Sequence, residues 1–241
     1  LRVTSHGRLH QLAFFPRIFP VNCYLVEEED NLTLVDTGLS YSCRFILGAA
    51  KKRNKPIKRI VITHAHSDHV ASLDHLAKAL PNASIYLPRR ELKLLHGDRT
   101  LLPTEPQAPV KGGFITKIRT RPDYLLKEGD YVGSLRVIPL PGHTPGMIGL
   151  FDERDRTLIA SDAFQTQGGV YAAGDTCWRF PFPSFATWHL PTSLDSARKA
   201  AALEPELLAV GHGRLLHRPG EAMKKAVQRL EKKASLRLEE F

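Results

Sequence analysis

Five short apolar runs along the chain end alike. Residues 32–38 read LTLVDTG, 59–66 RIVITHAH, 135–143 LRVIPLPGH, 156–162 RTLIASD and 206–213 ELLAVGHG. Each has the length and the aliphatic or β-branched content of a buried strand, and each gives way to Asp or His, often beside Gly. A polar side chain just past a strand end stands on a rigid base yet projects into a loop, and glycine permits the sharp exit. Five repetitions of this layout predict that the strand ends converge on one site.

Between these runs the period becomes helical. Residues 40–53, SYSCRFILGAAKKR, carry one apolar face. Residues 68–80 place Val70, Leu73, Leu76, Ala77 and Leu80 at helical intervals, and Pro81 ends that helix. A later helix, TSLDSARKAAAL, opens with Thr192 and Asp195 as a capping pair, and the last begins at Pro219 and Gly220. Strands alternating with helices predict an α/β layered fold. No Gly-, Pro- or Ser-rich linker divides the chain and no short-period repeat appears, so residues 1–241 read as one domain. Two stretches lack periodicity: residues 97–123, interrupted by Pro103, Pro106, Pro109 and Pro122, and the aromatic-rich residues 163–191. Such stretches serve as binding loops or simply cover the sheet. Phe164, Tyr171, Trp178 and Phe182 are candidate substrate-pocket walls.

Composition narrows the class. The chain is 42% hydrophobic and 24% charged, the balance of a folded globular protein. No apolar stretch is long enough to span a membrane, and the opening stretch, broken by Pro and Arg, does not read as a secretory leader. Cys23, Cys43 and Cys177 are widely spaced and form no CxxC pair. They read as reduced packing residues of a cytoplasmic protein rather than a disulfide framework or thiolate site. The net charge of +9 raises an anionic partner. However, Lys and Arg are spread along the chain, and the densest run, KKRNKPIKR at 51–59, sits at a helix-to-strand junction. A solvated basic surface follows, which disfavours a nucleic-acid partner while leaving it open.

The chemistry concentrates in HAHSDH, residues 64–69. In an extended segment His64 and His66 face the same side and can reach one ion. Asp68 and His69 follow about a turn later, and His143, Asp162 and His212 come from three other strand ends. Imidazoles and carboxylates without thiolate suit zinc first, with iron or manganese as alternatives. This set exceeds what one tetrahedral ion needs and fits two divalent ions ~3.5–4 Å apart, with Asp162 able to bridge. His75 lies on the same predicted helix as His69 but points away. His6, His10, His96, His189 and His217 have no comparable context and stay unassigned.

HAHSDH, together with DTG at 36–38, GHTPG at 142–146, SD at 161–162 and GHG at 211–213, resembles the motif series of the metallo-β-lactamase-fold superfamily. The resemblance runs from Asn22 to His212. It implies a four-layer αββα sandwich with the site at one edge between the sheets. It further implies that His64, His66 and His143 hold a first metal, that Asp68, His69 and His212 hold a second, and that Asp162 bridges them. Asp36 would orient the site from behind the ligands, and Asp68 would double as a catalytic proton shuttle. No Gly-x-Ser-x-Gly string and no motif cysteine offers a protein nucleophile. The expected reaction is therefore attack by metal-activated water on an ester, lactone, thioester or amide carbonyl of a small molecule.

Within the superfamily, the carboxylate at position 162 favours the lactonase or glyoxalase-II-like branch over true β-lactamases. Lactonases typically place Tyr three residues after that carboxylate, where this chain has Gln165; Tyr171 is a candidate substitute. Only a short tail follows His212 where glyoxalase-II-like enzymes carry a helical extension. The alternatives are an RNA-processing metallo-nuclease or phosphodiesterase, although its usual RNA-clamping arm is absent here, and a mono-iron persulfide dioxygenase-like enzyme. A homodimer is compatible with all of these readings.

Overall fold

The computed structural model describes residues 1–115 and 117–239, so the last two residues of the expected 1–241 domain lie outside the described residues. Seven strands form the first sheet in chain order: β1 (Arg2–His6), β2 (Leu9–Phe14), β3 (Val21–Glu27), β4 (Leu32–Val35), β5 (Ile57–Val61), β6 (Ser84–Pro88) and β7 (Tyr124–Leu126). β1 to β4 are antiparallel neighbours, whereas β4 to β7 run parallel. Parallel neighbours need crossovers. These contain α1 (Cys43–Lys51), α2 (Ser67–Val70), α3 (Leu73–Ala79) and α4 (Glu91–Leu95).

The second half of the chain supplies β8 (Tyr131–Val132), β9 (Leu135–Pro139), β10 (Ile148–Asp152), β11 (Thr157–Ile159), a separate hairpin of β12 (Phe164–Gln165) and β13 (Tyr171–Ala172), and then β14 (Leu207–Ala209) and β15 (Leu216–His217). The second sheet has the order β15-β14-β11-β10-β9-β8, with only β11 and β14 parallel. Its helices are α5 (Phe182–Phe185), α6 (Leu190–Ala202) and α7 (Gly220–Glu239).

Strand alternation sorts the apolar side chains into three buried layers. Leu34, Ile60 and Ile62 face outward onto Ile46, Leu73 and Leu76 of the first helical layer. Their neighbours Val35 and Val61 face inward and meet Val137, Leu150, Ile159 and Leu207 of the second sheet. On the far side Leu158, Leu208 and Val210 meet Leu194, Ala197, Met223 and Leu230 of α6 and α7. The order helix, sheet, sheet, helix is the four-layer αββα sandwich. Each fully buried Leu or Ile contributes about 1.5–3 kcal/mol of transfer free energy, and a one-residue register slip would exchange adjacent layers.

A polar seam ties the two sheets at the edge where the ligand loops emerge. The side-chain amide of Asn22 donates to the Val210 and Gly213 carbonyls at 2.8 and 2.9 Å. The Tyr24 hydroxyl donates to Val210 O at 2.6 Å, and Ile148 N donates to Thr63 O at 3.1 Å.

Two helices depart from the sequence expectation. The helix expected over 68–80 is divided into α2 and α3 at Ala71 and Ser72. There the Ser72 hydroxyl donates to Leu39 O at 2.6 Å and accepts from Cys43 N, an alternative to continuing the helix. The expected Thr192–Asp195 cap is also corrected. α6 starts earlier, at Leu190, and its N-cap is His189, whose Nδ1 accepts from Thr192 N. The backbone amides of Trp188 and His189 donate to the His143 and Gly142 carbonyls, which fixes the helix start against the ligand loop.

Candidate metal centre

The exits of β4, β5, β9, β11 and β14 lead into the loops carrying Asp36, His64, His143, Asp162 and His212. Asp36 and Ser161 take left-handed backbone conformations, with φ of 60° and 49°. For residues with a side chain this is a strained conformation, and both positions hold their strand exits against the centre.

Two triads face one another. His64 Nε2 lies 3.1 Å from His66 Nδ1, which lies 3.0 Å from His143 Nε2. Asp68, His69 and His212 form the second group, and within each triad the donor atoms lie within 4.8 Å of one another. Asp162 stands between them. Its Oδ2 is 3.3 Å from His143 Nε2 and 3.1 Å from His212 Nε2, while its Oδ1 is 3.5 Å from His69 Nε2.

Outer partners decide what the inner nitrogens are. His66 Nε2 meets Lys111 O at 3.0 Å and His212 Nδ1 meets Pro20 O at 2.6 Å. His69 Nδ1 meets Asp36 Oδ2 at 2.8 Å. All three partners only accept, so these nitrogens carry the protons. The Thr187 hydroxyl donates to Pro183 O and therefore accepts from His143 Nδ1, while Thr63 and Ser161 hydroxyls flank His64 Nδ1. A neutral imidazole protonated on its outer nitrogen offers a lone pair on the inner one. His64, His66 and His143 thus aim three lone pairs at a common point. Burial pushes all three below the ordinary histidine range, His143 to about 3.

The second triad lies in a more negative field. Burial opposes charge on His69 and His212, but Asp36, Asp162 and Asp68 around His69, and Asp162 and Asp68 around His212, raise both above the usual value. Burial would raise Asp68 and Asp162. For Asp68 the nearby His69 and His212 reverse this, and for Asp162 the nearby His212 and His69 do so, leaving both carboxyls below the ordinary range. The site demands positive charge, met by protons or by a cation. His69 Nε2 and Asp162 Oδ1 are buried without a hydrogen-bond partner, as donor atoms directed at a cation would be. The donor set therefore fits divalent metal.

The family model for the metallo-beta-lactamase superfamily matches residues 16–212. The chain belongs to this superfamily. An uncharacterized protein of Bacillus subtilis (strain 168), YobT, is 48% identical over 96% of this chain and 100% of its own length. The probable metallo-hydrolase YflN of the same organism is 28% identical over 86% of this chain and 83% of its own. A crystal structure of the DIM-1 metallo-beta-lactamase superposes with a TM-score of 0.71 at 18% identity, covering 96% of this chain and 97% of that one; at this identity the likeness speaks for the fold. This member of the superfamily is a metal-dependent hydrolase.

The expected substrate residues separate. The cavity at the centre, about 290 Å³, is lined by His66, Asp68, His143, Asp162 and His212 together with Phe19, Leu39, Ser67, Gly113, Phe182, Pro183 and Ala186. Phe182 therefore stands at the site. Phe164 does not: it is fully buried in the core beneath α6 and α7. Tyr171 is also corrected, since it pairs with Gln165 across the small hairpin and lies 4.6 Å under the Arg229 guanidinium, away from the cavity. Trp178 is 93% exposed and is not among the lining residues. Gln165, the hairpin partner of Tyr171, is buried and donates to Phe180 O at 3.0 Å. Phe19 and Leu39 carried no sequence signal, because a single apolar residue, even one directly after the DTG motif as Leu39 is, has no distinguishing chemistry. His75 is exposed on α3, as its helical position requires.

Proposed function

We propose that this chain is a binuclear hydrolase of uncharged acyl substrates, cleaving an ester, lactone or thioester carbonyl, with zinc as the first choice of metal. The observation carrying this reading is Asp162, whose carboxylate lies within reach of donor atoms from both triads. Divalent ions held by these residues would supply acidification of water toward neutral pH and polarisation of a carbonyl. The protein's own groups do the rest. The outer hydrogen bonds of the five histidines fix their tautomers and ring orientations. Asp68 is the most exposed carboxylate of the set, with 22% of its side chain open at the cavity wall. It can pass a proton from the attacking water to the leaving oxygen or sulfur. No serine or cysteine among the described lining residues is required as a nucleophile.

The walls support the substrate class. Phe19, Leu39, Phe182, Pro183 and Ala186 present apolar surface, and among the described lining residues none is Lys or Arg. A substrate carboxylate or phosphodiester would find no cation there beyond the metals, so an apolar acyl chain fits better. Hydrolysis should therefore be measured with nitrophenyl esters, acyl lactones and acyl thioesters, beside nitrocefin and bis-nitrophenyl phosphate, on protein of known metal content. We expect turnover of the first three to exceed that of the last two by at least about 100-fold. Preferential turnover of the phosphodiester would replace this reading with the nuclease one.

A further inference from the structure

Glu91 takes no part in the sequence motifs, yet its carboxylate is fully buried beside them. It opens α4, just beyond the end of β6. Oε2 accepts from the backbone N–H of Ala65 at 2.8 Å, the residue between His64 and His66. Oε1 accepts from the hydroxyl of Thr144, which follows His143, and from the N–H of Gly146, each at 2.7 Å. The adjacent Arg90 guanidinium is held by both carboxylate oxygens of Glu105 and acts on Glu91 only through space. Glu91 therefore has no direct ion-pair partner, and three donors from two loops provide its hydrogen bonds.

Burying a carboxylate without a directly paired counter-charge is costly, and a well-packed apolar residue would cover α4 without that cost. What the carboxylate supplies is a bracket across the two loops that carry every ligand of the first triad. Gly146 completes it: a Cβ there would lie 2.9 Å from Glu91 Oε1 and 2.7 Å from Arg90 Cβ, so only glycine lets the loop close onto the carboxylate. None of the donors belongs to the loops of Asp68, His69 or His212 except through the shared 64–69 segment. We infer that Glu91 is a positioning residue that sets the spacing of His64 and His66 against His143, and with it the affinity of the three-histidine site for metal. This inference rests on the binuclear reading above.

The test is chelator titration of the metal-loaded protein, read as metal per chain by elemental analysis and as the absorption spectrum of the cobalt-substituted form. Glu91→Gln keeps the shape but sets an amide N–H against N–H or O–H donors. Thr144→Val removes one donor, and Thr144→Ser retains it. We expect Glu91→Gln to lose one metal per chain at about tenfold lower chelator, within the range seen when outer partners of ligands are removed. The second metal and the thermal midpoint of unfolding should hold, Thr144→Val should fall between, and Thr144→Ser should match wild type. Wild-type release of both metals by Glu91→Gln would overturn the inference, as would parallel loss of both metals with a lowered unfolding midpoint. Wild-type protein holding fewer than two metals would instead defeat the binuclear reading, and weakened retention of the remaining ion by Glu91→Gln would still support the bracket.

Discussion

The imidazole of His66 shows how much one residue must satisfy. Its Nε2 is committed to Lys111 O while its Nδ1 points between His64 and His143. Replacement by alanine removes one of three converging lone pairs. His66→Ala should lower kcat/KM by more than about 100-fold, beyond the ~10–100-fold attached to outer partners alone, and should lower metal content. His75→Ala, on an exposed position of α3, should change neither; equal metal content in the two variants would refute the ligand assignment. The paired aromatics give a second contrast. Phe182→Ala should lower kcat/KM for long acyl chains by about tenfold relative to short ones, the scale of a lost hydrophobic wall, whereas Trp178→Ala should leave that ratio unchanged. The ligand residues were legible because their types are chemically rare in combination. The pocket aromatics were not, since one aromatic-rich stretch contains a core residue, a hairpin residue, a solvent-exposed residue and a cavity wall.

At the scale of elements, the strand ends carried most of the information. Apolar runs of strand length marked β4, β5, β9, β11 and β14, and Asp36 or a candidate ligand follows each within a few residues. The helix boundaries were less legible, because tertiary hydrogen bonds decide them: Ser72 divides α2 from α3, and His189 moves the start of α6. The irregular stretch 97–123 was open to either a binding or a covering role, and Gly112 within it lies against the metal centre with φ of +93°. A Cβ there would stand 2.1 Å from His66 Nε2. Gly112→Ala should therefore displace the loop or the imidazole and weaken metal retention by tenfold or more, read by dialysis against chelator. Unchanged metal retention would contradict the close approach. Glu91 had no sequence signal at all, because its partners, two backbone N–H groups and the Thr144 hydroxyl, belong to loops distant in the chain.

Across the whole molecule, two sheets bring ligands from opposite halves of the chain to one edge, and their packing couples the fold to the charge at that edge. Protons and divalent ions compete for the field of Asp36, Asp68 and Asp162. Because His69 and His212 sit above the ordinary histidine value without a cation, metal must displace their protons. Affinity should rise as pH increases through that raised range and fall on acidification, by about tenfold per pH unit for each proton displaced. Equilibrium dialysis between pH 5.5 and 8 checks the sign; an affinity independent of pH would show that neither imidazole is a ligand. No helix among the described residues is long and apolar enough to cross a membrane. The central claim, two cations shared by one carboxylate, is tested most directly by anomalous diffraction from crystals of the metal-loaded protein. Two peaks are expected, one beside His64, His66 and His143 and one beside Asp68, His69 and His212, with Asp162 touching both. A single peak, or two with Asp162 bound to neither, would contradict it.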